Sequence, residues 1–283
     1  MNHAILLISC PDRKGITAAV TQFIFEHNGN ILHADQHIDD QTNTFFMRIE
    51  WSLTGFKIGR DKIAGQFQTI ARRFAMKWEL CFADKPLRVA IFVSKPLHCL
   101  YDLLYRKRAG HFACTIPLII SNHADAQSIA KEFGIPFHTF PVTKTNKAAQ
   151  EAKQLELLKK EKIDGVILAR YHQILSAKFV NAFPHKIINI HHSFLPAFAG
   201  KSPYKQAYQK GVKIIGATSH YVTEKLDEGP IIEQDTVRIS HRDALDDLIR
   251  KGEDLEKVVL SRAVRWHLER KILCYGNKTV IFD

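Results

Sequence analysis

An α/β protein in two parts, a small antiparallel unit followed by a larger parallel one, is the fold class this sequence predicts. Over residues 1–84 the apolar patterns run strand, helix, strand, strand, helix, strand. After the polar link Asp84–Lys85–Pro86 the rhythm becomes strand, helix, strand, helix, with nearly continuous apolar strands. The length, 283 residues, agrees with two domains, set here at 1–84 and 85–283.

In the first part, residues 3–9 form an apolar run of strand length. Pro11–Asp12 marks a turn, and Asp12 is placed to cap the next helix, where Ile16, Ala19, Val20, Phe23 and Ile24 recur at helical spacing. Asn28–Gly29 ends that helix. Strands follow near 30–39 and 43–53; in the second, Phe45, Met47, Ile49 and Trp51 alternate as in a half-buried strand. Ile63, Phe67, Ile70 and Phe74 stripe a second helix, and 77–82 is a last strand. This βαββαβ order suits a ferredoxin-like antiparallel sheet with two helices on one face.

In the second part, strands are predicted at 88–93, 116–121, 136–140, 165–169 and 186–190. Helices lie near 97–107, 125–133 and 145–161, the last with Ala148, Ala152, Leu155 and Leu158 along one face. Two more strands fall within 212–239, and a long helix spans 243–268 with Leu245, Leu248, Leu255, Val258, Val259 and Leu260 apolar. The expected result is a Rossmann-like, mostly parallel sheet with helices on both faces.

Composition narrows the function classes. Hydrophobic residues are 46% and charged residues 24%, which excludes a mainly disordered chain. No apolar run reaches bilayer-spanning length, and the N-terminus lacks a signal-peptide pattern, so a cytoplasmic protein without a membrane partner is expected. Five scattered cysteines without a C-x-x-C pair argue against disulfides and zinc knuckles. The net charge of +11 is dispersed among acids and carries no nucleic-acid motif. It points to solubility or an anionic small substrate rather than to nucleic acid.

Chemistry concentrates in two segments. Asn189 and His191 stand two apart at the end of an apolar strand, so both side chains leave one face at the carboxyl edge of a parallel sheet. A carbonyl oxygen between them could accept two hydrogen bonds, as in an oxyanion hole; strand-end polar residues with local partners are the other reading. Ser193, Pro196 and Gly200 then look like loop-shaping residues. Asp227 precedes Glu228–Gly229–Pro230, 36 residues beyond His191, room enough for a helix and a strand to bring the chain back. There a carboxylate would fix the imidazole tautomer and could hold or deprotonate a water; an exposed turn residue is the alternative. Neither G-x-G-x-x-G nor G-x-x-x-x-G-K-[ST] follows the first strand of this part, which disfavours nucleotide cofactors and phosphorylated acceptors. Fifteen histidines raise the question of a metal, but no ligand spacing such as H-E-x-x-H appears, and His191 and His192 are expected on opposite strand faces.

The stretches NIHHSFLP (189–196) and HYVTEKLDEGPII (220–232) resemble the folate-dependent formyltransferases, whose catalytic set is Asn, His and Asp. ISNHAD (120–125), DGVILARYHQILS (164–176), PYKQAYQKGVKIIGATSHYVT (203–223) and NKTVIF (277–282) extend the likeness toward the formyltetrahydrofolate deformylases. DRKGI (12–16) and NGNI (28–31) resemble an ACT domain. The resemblance implies hydrolysis of 10-formyltetrahydrofolate, with Asn189, His191 and Asp227 catalytic, and formate supplied to purine synthesis and the one-carbon pool. It implies no cofactor and no metal. The alternative is a formyltransferase with an amine acceptor. The resemblance places the folate pterin at His172, Gln173, Ile174 and Leu175 with Thr223 nearby. An amino-acid effector, glycine or methionine, is implied at Asp12, Gly15 and Asn28, together with a homodimer or homotetramer.

Overall fold

The computed structural model describes residues 2–197 and 203–283. They form two compact units. The first runs from the N-terminus to Pro86 and takes in Glu269–Tyr275 and Val280–Asp283. The second comprises Leu87–Leu268 and Gly276–Thr279.

The first unit contains β1 (His3–Pro11), α1 (Ile16–Glu26), β2 (Asn30–Asp39), β3 (Thr44–Ser52), α2 (Arg60–Arg73) and β4 (Lys77–Phe82). Its sheet runs β2-β3-β1-β4, antiparallel throughout. The apolar stripes of α1 and α2 bury Val20, Ile24, Ile63 and Phe67 against Leu6, Ile8, Met47 and Ile49. Asp12 does not cap α1, contrary to the sequence reading. The cap position falls on Gly15, which takes a left-handed φ of 92°, while the Asp12 N–H donates to the Asn43 carbonyl. The chain turns through the glycine because a left-handed residue costs least there.

The other face of this sheet is covered as well. Leu273, Tyr275, Val280 and Phe282 from the C-terminal segment pack against Leu7 and Phe46. β3 is therefore buried on both faces rather than on one, and Arg48 is inside it, donating to the carbonyls of Glu269 and Arg270. The sequence reading counted this segment with the second domain; its alternation of apolar residues around Gly276–Asn277 was the available signal.

The second unit contains β5 (Leu87–Val93), α3 (His98–Arg108), β6 (Cys114–Thr115), β7 (Ile119–Ser121), α4 (Gln127–Glu132), β8 (Phe137–Thr139), α5 (Lys147–Lys160), β9 (Gly165–Ala169), α6 (Ala177–Ala182), β10 (Ile187–His191), α7 (Pro203–Lys210), β11 (Ile214–Tyr221), β12 (Ile231–Arg238) and α8 (Leu245–Leu268). β13 (Ile272–Tyr275) and β14 (Lys278–Ile281) close the chain. The sheet order is β12-β11-β10-β9-β5-β7-β8, with β6 beside β5. It is parallel from β10 to β8, and β11 and β12 are antiparallel. The strand expected over 116–121 begins only at Ile119, and a two-residue strand precedes it at Cys114–Thr115; Pro117, between them, has no N–H for the ladder.

Helices cover both faces. α5 and α6 bury Leu158, Phe179 and Val180 against Phe92, Val166 and Leu168. α8 crosses the opposite face at Gly165, where an added Cβ would meet His267. The buried stripe of α5 is rotated from the expected one. Ala148 and Ala152 are exposed, and Glu151, Gln154 and Leu158 face inward.

Candidate active site

β10 delivers Asn189 and His191 to the carboxyl edge of the parallel strands. His191 is 6% exposed, and Asn189 is half-buried. The segment after β10 is tied down: Thr218 donates to the Ser193 carbonyl and accepts the Leu195 N–H, and Ser193 Oγ donates to the Ala197 carbonyl. Gly200, read from sequence as loop-shaping, lies outside the described residues. His192 falls just beyond the strand, so strand alternation does not separate it from His191. The two rings lie 5.3 Å apart rather than on opposite faces.

α7 and β11 return the chain as the spacing suggested. The turn after β11 closes with a Tyr221 N–H to Pro230 carbonyl bond of 2.9 Å. Gly229 permits that closure, since an added Cβ would come within 1.7 Å of the Tyr221 carbonyl oxygen. Within this turn Asp227 adopts φ 55°, a left-handed conformation that Asp tolerates better than most residues. Its Oδ2 lies 3.2 Å from His191 Nδ1, and its Oδ1 lies 3.7 Å from His220 Nε2. Burial alone would raise the Asp227 pKa. The hydrogen bond from His191 and the neighbouring imidazoles outweigh it and hold the carboxyl well below the usual carboxylate range. Because Nδ1 of His191 faces Asp227, the second nitrogen points away from the carboxylate. Nε2 is buried without a hydrogen-bond partner among the described residues.

His220 is a side chain at this site to which sequence reasoning gave no role. It pairs directly opposite Asn189 in the β10–β11 register. Its Nδ1 donates to the Tyr221 carbonyl at 2.9 Å, and its Nε2 lies 3.2 Å from Asn189 Nδ2. That bond engages one hydrogen of the Asn189 amide and leaves the second for another acceptor. The signal was the antiparallel register, which is invisible until β11 is paired with β10.

A second carboxylate cluster lies in the same unit. Glu256 on α8 is 0% exposed and accepts from His98 Nε2 at 2.7 Å, Tyr204 Oη at 2.5 Å and Arg170 Nη1 at 3.5 Å. Burial opposes its charge, but these donors lower its pKa below the ordinary value. Gly252 makes room for Tyr204, because a Cβ there would come within 2.2 Å of the phenol. His98, Cys99 and Glu256 offer three metal-ligand atoms within 4.8 Å of one another. The carboxylate oxygens are already engaged by protein donors, and burial pushes the Cys99 thiol well up, away from the thiolate a metal would need.

The loop after β9 carries His172, Gln173, Ile174 and Leu175. Ile174 is 59% exposed, whereas Leu175 is buried. Leu175 and Tyr171 join Val222, the neighbour of Thr223, in one apolar cluster. Thr223 Oγ1 donates to the Lys225 carbonyl. In the first unit, Asp12 and Gly15 stand at the start of α1. Asn28 stands past its far end and donates to the Gly55 carbonyl. The 11 residues of α1 rise roughly 16 Å, so Asn28 does not share a site with the other two within one copy.

Comparison with known proteins agrees with this architecture. Residues 4–71 match the ACT domain model, and residues 87–264 match the formyl transferase model. A formyltetrahydrofolate deformylase of Synechocystis sp. is 57% identical over 279 residues, covering 99% of this chain and 98% of that protein. The crystal structure of a formyltetrahydrofolate deformylase from Pseudomonas syringae pv. tomato superposes with a TM-score of 0.97 at 45% identity, covering 99% of this chain and 94% of that one. A glycinamide ribonucleotide transformylase from Symbiobacterium toebii superposes with a TM-score of 0.67 at 32% identity, covering 72% of this chain and 98% of that one.

Proposed function

The chain belongs to the formyltetrahydrofolate deformylases, and from that membership we propose how it hydrolyses 10-formyltetrahydrofolate to tetrahydrofolate and formate. The observation that carries the proposal is the unpartnered His191 Nε2, two residues along the same strand from Asn189, with the Asp227 carboxylate 3.2 Å from the other ring nitrogen.

Asn189 and His191 are the donors to the formyl oxygen. The Asp227 carboxylate at Nδ1 fixes the orientation of the imidazole, and a proton on Nε2 makes that nitrogen the second donor. The Asn189 N–H and the His191 Nε2–H then strengthen their bonds as the carbonyl oxygen becomes an oxyanion. Oδ1 of Asp227, not engaged by His191, holds the attacking water. The water oxygen bonds the formyl carbon and gives up a proton. The carbon–N10 bond breaks, N10 gains a proton, and the Asp227–His191 pair is placed to relay it. His220 holds Asn189 in register for this step. The pterin ring is read by backbone groups of His172, Gln173, Ile174 and Leu175, with Thr223 beside them. None of these roles calls for a metal or cofactor.

The measurement that tests this reading is joint: formate and tetrahydrofolate released from 10-formyltetrahydrofolate in buffer alone. Equal release of both, abolished in Asp227→Asn, is expected. Release that requires an added amine would replace the hydrolase with a transferase.

The ACT unit is proposed as a site for an amino-acid effector, glycine or methionine, with Asp12 and Gly15 at the start of α1 facing the ligand. The left-handed Gly15 supports this by exposing backbone at the helix N-terminus. Asn28 would reach the same ligand from a second copy, which fits a homodimer or homotetramer. We place the enzyme in the cytoplasm, a reading that its five free cysteines support. Millimolar glycine or methionine is expected to change turnover of the full chain, and Asp12→Ala to weaken that response. Turnover indifferent to both amino acids would leave the unit with an assembly role alone.

A further inference from the structure

Two buried side chains hold the ends of the 170–176 loop, and the chemistry above uses neither. At the near end Ser94 is 2% exposed. Its N–H donates to the Arg170 carbonyl at 3.2 Å, its Oγ accepts the His172 N–H at 3.0 Å, and its hydroxyl donates to Asn122 Oδ1 at 2.7 Å. At the far end Glu151, only 6% exposed, reaches across from α5 and accepts the Ser176 N–H at 3.1 Å. Ser176 Oγ then accepts the Phe179 N–H and caps α6. Between these anchors, the backbone N–H and C=O groups of Gln173, Ile174 and Leu175 make no hydrogen bond among the described residues.

A loop pinned at both ends with an unpaired polar edge in its middle is arranged to receive a ligand edge without reorganising. The far anchor is chemically unusual. Glu151 sits on the inward stripe of α5 in line with Leu155 and Leu158, where an apolar residue would pack at lower cost. Lys147 Nζ, 3.9 Å away, is the neighbouring cation. A carboxylate accepting a peptide N–H makes a charge-assisted bond, and it fixes the plane of the Leu175–Ser176 peptide. That plane sets the direction of the unpaired groups that precede it.

We propose that Glu151 is a positioning residue for folate recognition: from α5 it sets the orientation of the loop edge that hydrogen-bonds a fused heterocycle. This rests on the reading that the loop binds the pterin. Glu151 touches neither the reacting atoms nor the ligand, so its loss should weaken binding and spare the chemical step on β10.

The test compares Glu151→Met, which keeps length and packing but cannot accept the Ser176 N–H, with Glu151→Gln, whose Oε1 still can. Both are made in the full chain and assayed for KM and kcat on 10-formyltetrahydrofolate. Hydrogen exchange at amides 172–176 is followed with and without tetrahydrofolate. Orphaning the buried N–H should raise KM about tenfold in Glu151→Met, with kcat within about threefold of the parent. Glu151→Gln should restore KM to within about threefold of the parent. Unchanged KM in Glu151→Met, or a kcat loss with KM retained, would overturn the assignment of Glu151. Loop amides that gain no protection from tetrahydrofolate in the parent would instead overturn the loop reading beneath it.

Discussion

Two carboxylate–imidazole pairs lie in the second unit, and they do opposite things with the same groups. Asp227 meets His191 at 3.2 Å, and Glu256 meets His98 at 2.7 Å. Both carboxyls are held below their ordinary pKa values against the cost of burial. Glu256 is saturated by donors from α3, α7 and the loop after β9. Asp227 engages His191 through one oxygen, and the far nitrogen of that imidazole has no partner among the described residues. Spare hydrogen-bonding capacity, rather than the pairing of acid and base, separates the pair proposed to react from the saturated hub.

The largest effect that would sharpen this contrast is Asp227→Asn. The amide can still accept the His191 N–H, so the local geometry is kept while the charge is lost. Turnover should fall on the order of 10²–10⁴. The denaturant midpoint should also fall, because the carboxylate's pairing with His191 stabilises the fold, while the turn around Gly229 is kept by its backbone bonds. Turnover within a few-fold of the parent would remove Asp227 from proton handling and erase the contrast.

Glu256→Gln should show the reverse pattern. It leaves Arg170 and His98 facing a neutral group inside the protein. Breaking a buried pair from one side costs about 3–5 kcal/mol, read as a loss in denaturant stability. Protein that does fold should retain catalysis to within about an order of magnitude, a loss well short of the one expected at Asp227. An Asp227-sized fall in turnover without a loss of stability would mean that the hub takes part in the reaction.

How much of this was legible in the sequence depends on the distance over which each contact is made. Asn189 and His191 could be read from strand alternation alone, because their shared face is a local property of β10. Asp227 was legible as a possibility, since 36 residues leave room for the observed α7 and β11. His220 was not, because its partnership with Asn189 is a cross-strand register. The hub was less legible still: its donors to Glu256 come from 52, 86 and 158 positions away. Glu151 shows a different failure. It stands in the stripe of Leu155 and Leu158, but a glutamate at a buried helical position reads as solvent-facing by default, and the alanines beside it were read as the inner face. The second apolar face of the first sheet was hidden for a related reason, since its cover arrives from the far end of the chain.

The smallest effect concerns His192, which stands between the two pairs. Its ring is 5.3 Å from that of His191 and 5.8 Å from that of Tyr204. Burial, followed by the positive charge of Arg170, pushes its pKa from 6.5 down to about 3. Above pH 6.5 the ring is neutral in both the folded and the unfolded chain and contributes no pH dependence. As the pH falls below 6.5, the unfolded chain binds a proton that the folded chain does not take up until about pH 3. Stability should therefore decline across that window. The Asp227 contribution is also lost toward acid, but only below the ordinary carboxylate range of about 4, so the upper part of the window belongs to imidazoles. Thermal midpoints measured from pH 7 to pH 5 should fall less steeply in His192→Gln than in the parent. Parallel slopes would mean that His192 takes up its proton in the folded state without penalty. The space between the reacting pair and the hub would then be open to water, and the separation of the two pairs would rest on distance alone.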